Sequence, residues 1–381
     1  MSYCQYAKKC SGCQLQNLNY KEQLQMKQVK LIRLLGKYAH VNEIIGMENP
    51  FHYRNKAQSA FFVKNGKITS GIYQSATQKI VSVDSCLLED EASDEIISTI
   101  RRLCPKFKIK PYDAVKGTGF LRHILVRKGF KTNEIMVVIV SSVGEFRGAT
   151  SFVNELLRLH PEITTVVHNI NDTSTPLFLG EKSYVLYGEG YIKDELCGLT
   201  FRISPKSFYQ INPTQTERLY QTAREYASLK GEETVIDAYC GTGTIGLTMA
   251  QNARKVIGVE VNKEAVLDAK ENARINKIEN VEFINEDAGK YMQKLAIKGQ
   301  GVDVVVTDPP RAGCSKQFID SLISMSPKRI VYISCNPETL ARDLNILVRN
   351  KYKITKIQPV DMFPHTNHIE VVVGLRKYKM E

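Results

Sequence analysis

The sequence reads as an α/β chain, with a doubly wound and largely parallel sheet in its C-terminal half and a mostly β region before it. Three observations carry that reading. From about Arg202 onward strand-like and helix-like patterns alternate to the end, as a doubly wound sheet requires. Short apolar, β-branched runs at 235–240, 302–308 and 329–334 are bounded by turn residues, the mark of strands buried on both faces. Between about 117 and 200 the pattern stays strand-rich instead. With 381 residues the chain is long enough for two or three domains, and we divide it at residues 1–200 and 201–381.

Composition narrows the class. No apolar run is long enough to span a bilayer and no signal peptide opens the chain, so a cytoplasmic enzyme without a membrane partner is expected. A formal charge of +12 and a pI near 9.1 point to a polyanionic partner. Nine cysteines without a secretion signal suit a reducing compartment, where clustered thiols bind metal or do chemistry.

Taken in order, the chain begins with Cys4, Cys10 and Cys13, a C-x5-C-x2-C pattern with Cys86 as the nearest fourth thiol. Zinc and iron–sulfur clusters both accept four thiolates, and the three-plus-one layout is nearer to a [4Fe–4S] site than to the two close pairs usual for zinc. From Tyr20 to Tyr38 apolar residues at helical spacing, with Lys21, Lys27, Lys30, Arg33 and Lys37 between them, predict an amphipathic helix with a solvated basic face. Runs at 60–63 and 68–73 around Asn65-Gly66 predict a hairpin. The basic and aromatic residues from Phe51 to Lys56 at its mouth, Arg54 and Lys56 among them, suit phosphate contact and base stacking. Further strands are expected at 121–126, 135–140, 164–170 and 184–187, with Arg122 and Arg127 on a groove floor.

The chemistry lies at strand ends of the C-terminal half. Gly241-Thr242-Gly243-Thr244-Ile245-Gly246 follows the strand at 235–240 and opens a helix, and Glu260 lies about twenty residues on, where an acid holds ribose hydroxyls. That pairing favours an adenosine-type cofactor, and the glycine spacing alone leaves NAD open. Asp287 ends the strand at 281–287 and stands either near an adenine or as a helix cap, while Asp308 sits at a turn stiffened by Pro309 and Pro310. The strand at 329–334 runs into Ser334-Cys335-Asn336-Pro337, placing a thiol outside the carboxyl end of a buried strand. Glu370 opens an apolar terminal strand, where a carboxylate is out of place unless it is paired or working. His365 and His368 lie in a turn rich in hydrogen-bond partners and are read as structural rather than metal ligands.

These motifs together resemble the S-adenosylmethionine-dependent RNA uracil-5-methyltransferases, the family of the 23S rRNA (uracil-5-)-methyltransferases and a related tRNA enzyme. The likeness runs through the cysteine pattern, Arg54-Asn55-Lys56-Ala57, Ser207-Phe208-Tyr209-Gln210, Asp237-Ala238-Tyr239-Cys240-Gly241, Asp308-Pro309-Pro310-Arg311, Ser334-Cys335-Asn336-Pro337 and His368-Ile369-Glu370. The resemblance implies a Rossmann-like class I methyltransferase sheet, with Cys335 as nucleophile and Glu370 as base. It further implies Gln210, Tyr239, Thr244, Glu260, Asp287 and Asp308 around S-adenosyl-L-methionine, and a [4Fe–4S] cluster on Cys4, Cys10, Cys13 and Cys86. The expected partner is RNA, foremost 23S rRNA, with no obligate protein partner. Three residues precede Cys4, so the small RNA-binding barrel that opens many ribosomal relatives is not expected in this sequence.

A thiol is needed because C5 of uracil is a poor nucleophile until attack at C6 makes it enolate-like. A carboxylate is needed because the C5 proton must leave before the thiol can be expelled. The base must also be unstacked to reach the thiol, which suits an RNA loop with the ring of Phe208 or Tyr209 nearby. Competing readings are a tRNA uridine enzyme, an amino-methyltransferase, a cytosine-5 enzyme and a non-catalytic RNA-binding protein. An amino-group acceptor needs no thiol, and mere binding leaves Cys335 and Glu370 unexplained.

Overall fold

The computed structural model describes residues 4–74, 77, 79–173 and 177–378; the three residues ahead of Cys4 lie outside them. The chain first forms helix α1 (Tyr20–Leu35), started by a reciprocal capping box between Asn19 and Glu22. Next come β1 (Lys56–Lys64), β2 (Lys67–Tyr73), β3 (Ile80–Ser82), helix α2 (Glu91–Lys106), β4 (Leu121–Lys128), β5 (Ile135–Ser141), helix α3 (Ala149–Leu159), β6 (Ile163–Ile170) and β7 (Lys182–Tyr187). The hairpin forms where Asn65-Gly66 predicts it: both take positive φ, 51° and 74°, and Lys64 pairs with Lys67.

These strands make one seven-stranded sheet in the order β3-β2-β1-β4-β5-β6-β7, antiparallel except where α3 carries the chain from β5 to a parallel β6. The mostly β region thus contains helices that its strand-rich reading left out. Their signal was present: Ile96, Ile100 and Leu103 of α2 recur at helical spacing and pack with Phe152 and Leu156 of α3 over Ile124, Val126 and Val137. The other sheet face, with Leu125, Met136 and Val138, packs against the hairpin β8 (Ile192–Leu196) and β9 (Leu199–Ile203), in a core continuous with the C-terminal half.

That half contains α4 (Pro213–Ala227), β10 (Thr234–Ala238), α5 (Thr244–Ala250), β11 (Lys255–Glu260), α6 (Lys263–Ile275), β12 (Val281–Asn285), α7 (Ala288–Ile297), β13 (Val304–Thr307), α8 (Lys316–Met325), β14 (Arg329–Ser334), α9 (Pro337–Arg349), β15 (Tyr352–Val360) and β16 (Glu370–Lys377). The sheet order is β12-β11-β10-β13-β14-β16-β15, with β16 antiparallel to both its neighbours. Strand order reverses between β10 and β13, so the loops after these strands open a crevice at the switch point. Helices cover both faces: α4, α5 and α6 on one, α7, α8 and α9 on the other.

The N-terminal helix belongs to this second unit by packing. Leu31 and Leu35 of α1 enter the core with Leu340 and Leu344 of α9, Lys30 pairs with Glu338 at 2.8 Å, and Val41 and Ile45 bridge to Ile357 and Val360 at the sheet edge. Lys21, Arg33 and Lys37 lie on an exposed face as expected, but Lys27 does not. It is buried against Asp361 at 2.6 Å. No helix among the described residues is long and apolar enough to cross a membrane.

Candidate active site

Cys335 stands just past β14, in a turn built by its neighbours. Ser334 Oγ accepts from Asn336 N–H at 3.1 Å, Asn336 caps α9 by accepting from Glu338 N–H at 3.2 Å, and Pro337 occupies the first helical turn. The same turn holds the loop after β13, for Asn336 Nδ2 and Thr339 Oγ1 both donate to the Arg311 carbonyl, at 2.9 and 3.2 Å. Ser334 pairs with Val371 in the antiparallel β14–β16 ladder, so the next residues out, Cys335 and Glu370, lie across from each other at the end of the sheet.

The electrostatics agree with their proximity. Burial pushes the Cys335 thiol up to about 11; Glu370 and Asp308 add to the rise, and Arg311 opposes it. Glu370 is 4% exposed and its carboxyl is held well above the usual range by burial, then by Asp308, against the pull of Arg311. Burial pushes Asp308 up to about 7. Arg311 Nη2 lies 3.3 Å from the ring nitrogens of His368. One thiol, two carboxyls and one guanidinium therefore feel one another where three strands end.

The glycine loop after β10 is built for close approach. Gly243 has φ +81°, and a Cβ there would stand 2.8 Å from the Phe283 ring; Gly241 has φ +55° and open space around its Cβ position. Glu260 accepts from Gly241 N–H at 3.1 Å and Asn262 N–H at 2.8 Å, and it lines a cavity of about 470 Å³ with Phe208, Gly241, Asn262 and Asp268. A carboxylate at the end of β11 and a bare glycine beside it suit an adenosine. Thr244 is deeper, its hydroxyl 2.8 Å from Tyr220, whose phenol also feels Asp308. Tyr239 takes a positive φ of 63°, packs its ring on Phe318 and feels Asp287. Asp287 itself is exposed and caps α7 through Lys290 N–H at 3.0 Å. Gln210 is buried, and its carbonyl accepts from Asn55 Nδ2 at 3.0 Å.

Sequence reasoning singled out neither Asp237 nor Arg311 as a working group. Asp237 accepts from Gly246 N–H at 2.7 Å with one oxygen, while among the described residues no donor reaches the other. Burial pushes it up to about 7. A carboxylate inside the apolar run Val235-Ile236-Asp237-Ala238 was the available signal. Phe208 and Tyr209 separate clearly: Phe208 is 66% exposed, whereas Tyr209 is a core residue whose hydroxyl donates to Asp194 at 3.3 Å.

Cys4, Cys10, Cys13 and Cys86 line one cavity of about 510 Å³, together with Arg54, Lys56 and His365. Burial, then Cys10 and Cys4, pushes Cys13 up to about 11; burial and Glu89 push Cys86 up to about 12. Among the described residues no three His, Cys, Asp or Glu side chains gather closely enough to hold a single metal ion. Tetrahedral zinc needs four donors about 2.3 Å from one point, whereas a four-iron cluster gives each thiolate its own iron. The donor chemistry, four thiols on one cavity, fits the larger group. Beside it Lys56 pairs across the ladder with Arg127, and burial with Arg127 and Arg54 pushes it down to about 8. Arg127 is buried and donates to the carbonyls of Ser204 and Ser207. Arg122 donates to Asn171 and Thr173 carbonyls and lies over the Tyr112 ring at 4.9 Å.

Comparison with known proteins adds to this geometry. Residues 180–378 match the family model described as tRNA (Uracil-5-)-methyltransferase. An uncharacterized RNA methyltransferase of Oceanobacillus iheyensis is 48% identical over 372 residues, covering 96% of this chain and 81% of that protein. Another from Clostridium tetani is 44% identical, covering 98% and 82%. Among solved structures, the Pyrococcus abyssi tRNA (uracil-54, C5)-methyltransferase in complex with S-adenosyl-L-homocysteine is 32% identical. It superposes with a TM-score of 0.81 over 96% of this chain and 86% of its own.

Proposed function

Because the chain belongs to the tRNA (uracil-5-)-methyltransferase family and is an S-adenosylmethionine-dependent RNA uracil-5-methyltransferase, we propose that it works through a covalent bond between Cys335 and its target uridine. The observation that supports the proposal is the β14–β16 register, which brings Cys335 and Glu370 side by side at the end of the sheet.

In this reading the Cys335 thiolate adds to C6, and the electrons of the C5–C6 double bond move onto C5 and the O4 carbonyl. S-adenosylmethionine, when bound, supplies the methyl group as an electrophile to C5. Glu370 as carboxylate then takes the remaining C5 proton, the C5–C6 double bond re-forms, and the Cys335 thiolate is expelled. Arg311 favours both anions in turn, the attacking thiolate and the accepting carboxylate. Gln210, Tyr239, Thr244, Glu260, Asp287 and Asp308 hold the cofactor, with Glu260 on the ribose side. Cys4, Cys10, Cys13 and Cys86 hold a [4Fe–4S] cluster that organises the RNA-facing region. Residues 1–200, apart from α1, bind RNA, with Arg54 and Lys56 towards phosphates; residues 201–381 carry the methyl transfer, with Phe208 beside the unstacked base.

The RNA is proposed to be 23S rRNA. A second reading, tRNA, is favoured by the solved Pyrococcus abyssi relative, which is a tRNA enzyme. One experiment tests both: mass mapping of 5-methyluridine in rRNA and tRNA from cells lacking the gene, complemented with wild type or Cys335→Ala. A site restored by wild type alone names the target, and restoration by Cys335→Ala refutes the covalent role.

A further inference from the structure

Glu370 follows an irregular segment, residues 361–369, that leaves β15 at Val360 and enters β16 at Glu370. Val360 pairs with Glu370, so the ladder fixes the two ends of the segment but not what lies between. Two buried polar side chains of α1 grip that interval. Lys27 Nζ donates to Asp361 Oδ1 at 2.6 Å and to the Phe363 carbonyl at 3.2 Å. Gln23 Oε1 accepts from His365 N–H at 2.9 Å while its Nε2 donates to the His365 ring at 3.1 Å.

Gln23 and Lys27 are one helical turn apart, on one face, and are 0% and 1% exposed. Apolar residues of similar volume commonly stabilise such a helix face as well or better than a buried ion pair, so the polar pair calls for another reason. The far end of the segment supplies one. His368 lies against Arg311, with Phe363 edge-on to the His368 ring at 5.9 Å, and Arg311 faces both Cys335 and Glu370.

We propose that Gln23 and Lys27 are positioning residues: by clamping residues 361–365 they set the segment that delivers Glu370 to the C5 proton. The inference rests on the reading of Glu370 as base. Its consequence is specific to the second half of the reaction. A displaced carboxylate leaves thiol addition and methylation intact, but the C5 proton stays, the double bond cannot re-form, and Cys335 remains bonded to a methylated base.

The test uses the full chain, S-adenosylmethionine with a labelled methyl group, and substrate RNA. It follows turnover together with methyl-labelled protein–RNA adduct that survives denaturing electrophoresis. Glu370→Gln is the reference and accumulates adduct. Gln23→Leu, which keeps side-chain volume and the Lys27–Asp361 pair, is expected to accumulate the same adduct with turnover lowered roughly tenfold or more, as small misplacements of a reacting group do. Lys27→Met is expected to do likewise; should it fail to fold, Gln23→Leu decides. Unchanged turnover in Gln23→Leu, or turnover and adduct falling together, overturns the positioning role. Absence of adduct in Glu370→Gln overturns the base assignment itself, and the positioning role with it.

Discussion

The strands of the two seven-stranded sheets displace different ionisable groups. Along the C-terminal sheet burial lifts two acids and a thiol, Asp237 and Asp308 to about 7 and Cys335 to about 11, and lowers His368 beside them. Along β1 and β4 of the N-terminal sheet burial lowers bases, Lys56 to about 8, Arg127 to about 10 and His123 to about 4, while the neighbouring acids Glu89 and Asp94 rise to about 8 and about 6. Burial disfavours whichever charge a group carries, so each set is eased by an opposite charge brought beside it. A sulfonium cation eases the acidic strand ends.

Removing the thiol should break this comparison most sharply. Cys335→Ala is expected to lower methyl transfer by roughly a thousandfold or more, as loss of a nucleophile does, while RNA affinity measured by filter binding stays near wild type. Equal loss of both would mean that the two regions do not divide binding from chemistry. Next in size, Gly243→Ala forces a Cβ to within 2.8 Å of the Phe283 ring at a φ of +81°. About 1–3 kcal/mol should be lost, read as a lower melting temperature and weaker S-adenosylmethionine binding by calorimetry. Gly241→Ala, with open space around its Cβ position, should lose less; the reverse order would place the tight approach at the wrong glycine.

The basic side is sharpened by salt. Arg54→Ala with Lys56→Ala should weaken RNA binding across sequences and lower the slope of log affinity against log salt by up to about two. An unchanged slope removes both from the phosphate path. The smallest expected effect is a displacement in pH. The thiolate is the attacking form, so the rate of adduct formation should rise with pH towards the thiol's value of about 11. Arg311 lowers that value, so Arg311→Gln should raise it, moving the rising limb to higher pH and slowing adduct formation near neutrality. A limb that moves to lower pH, or stays in place, removes Arg311 from the thiol's surroundings.

Local chemistry made the strand ends legible. A β-branched run that stops in Ser334-Cys335-Asn336-Pro337 carries its own turn and helix cap, and Asn65-Gly66 names its own hairpin, because neighbours in sequence satisfy those hydrogen bonds. Glu370 stood out for a similar reason, as a carboxylate opening an apolar strand. What escaped depended on distant partners. Lys27 reads as one more cation on a solvated helix face until Asp361 arrives beside it, and α1 reads as part of the first region until its leucines enter the C-terminal core.

The sequence by itself determined the alternation of elements, the residue types at the strand ends and the membership of the RNA uracil-5-methyltransferase family. Tertiary structure alone decided that β16 runs antiparallel beside β14, so that Cys335 and Glu370 stand side by side at the sheet's end, and that four thiols from two separate stretches line one cavity. The physical reason is range. Turns and caps are satisfied within a few residues, whereas strand pairing, burial of charge and the pKa values that follow from it depend on what packing brings from elsewhere in the chain.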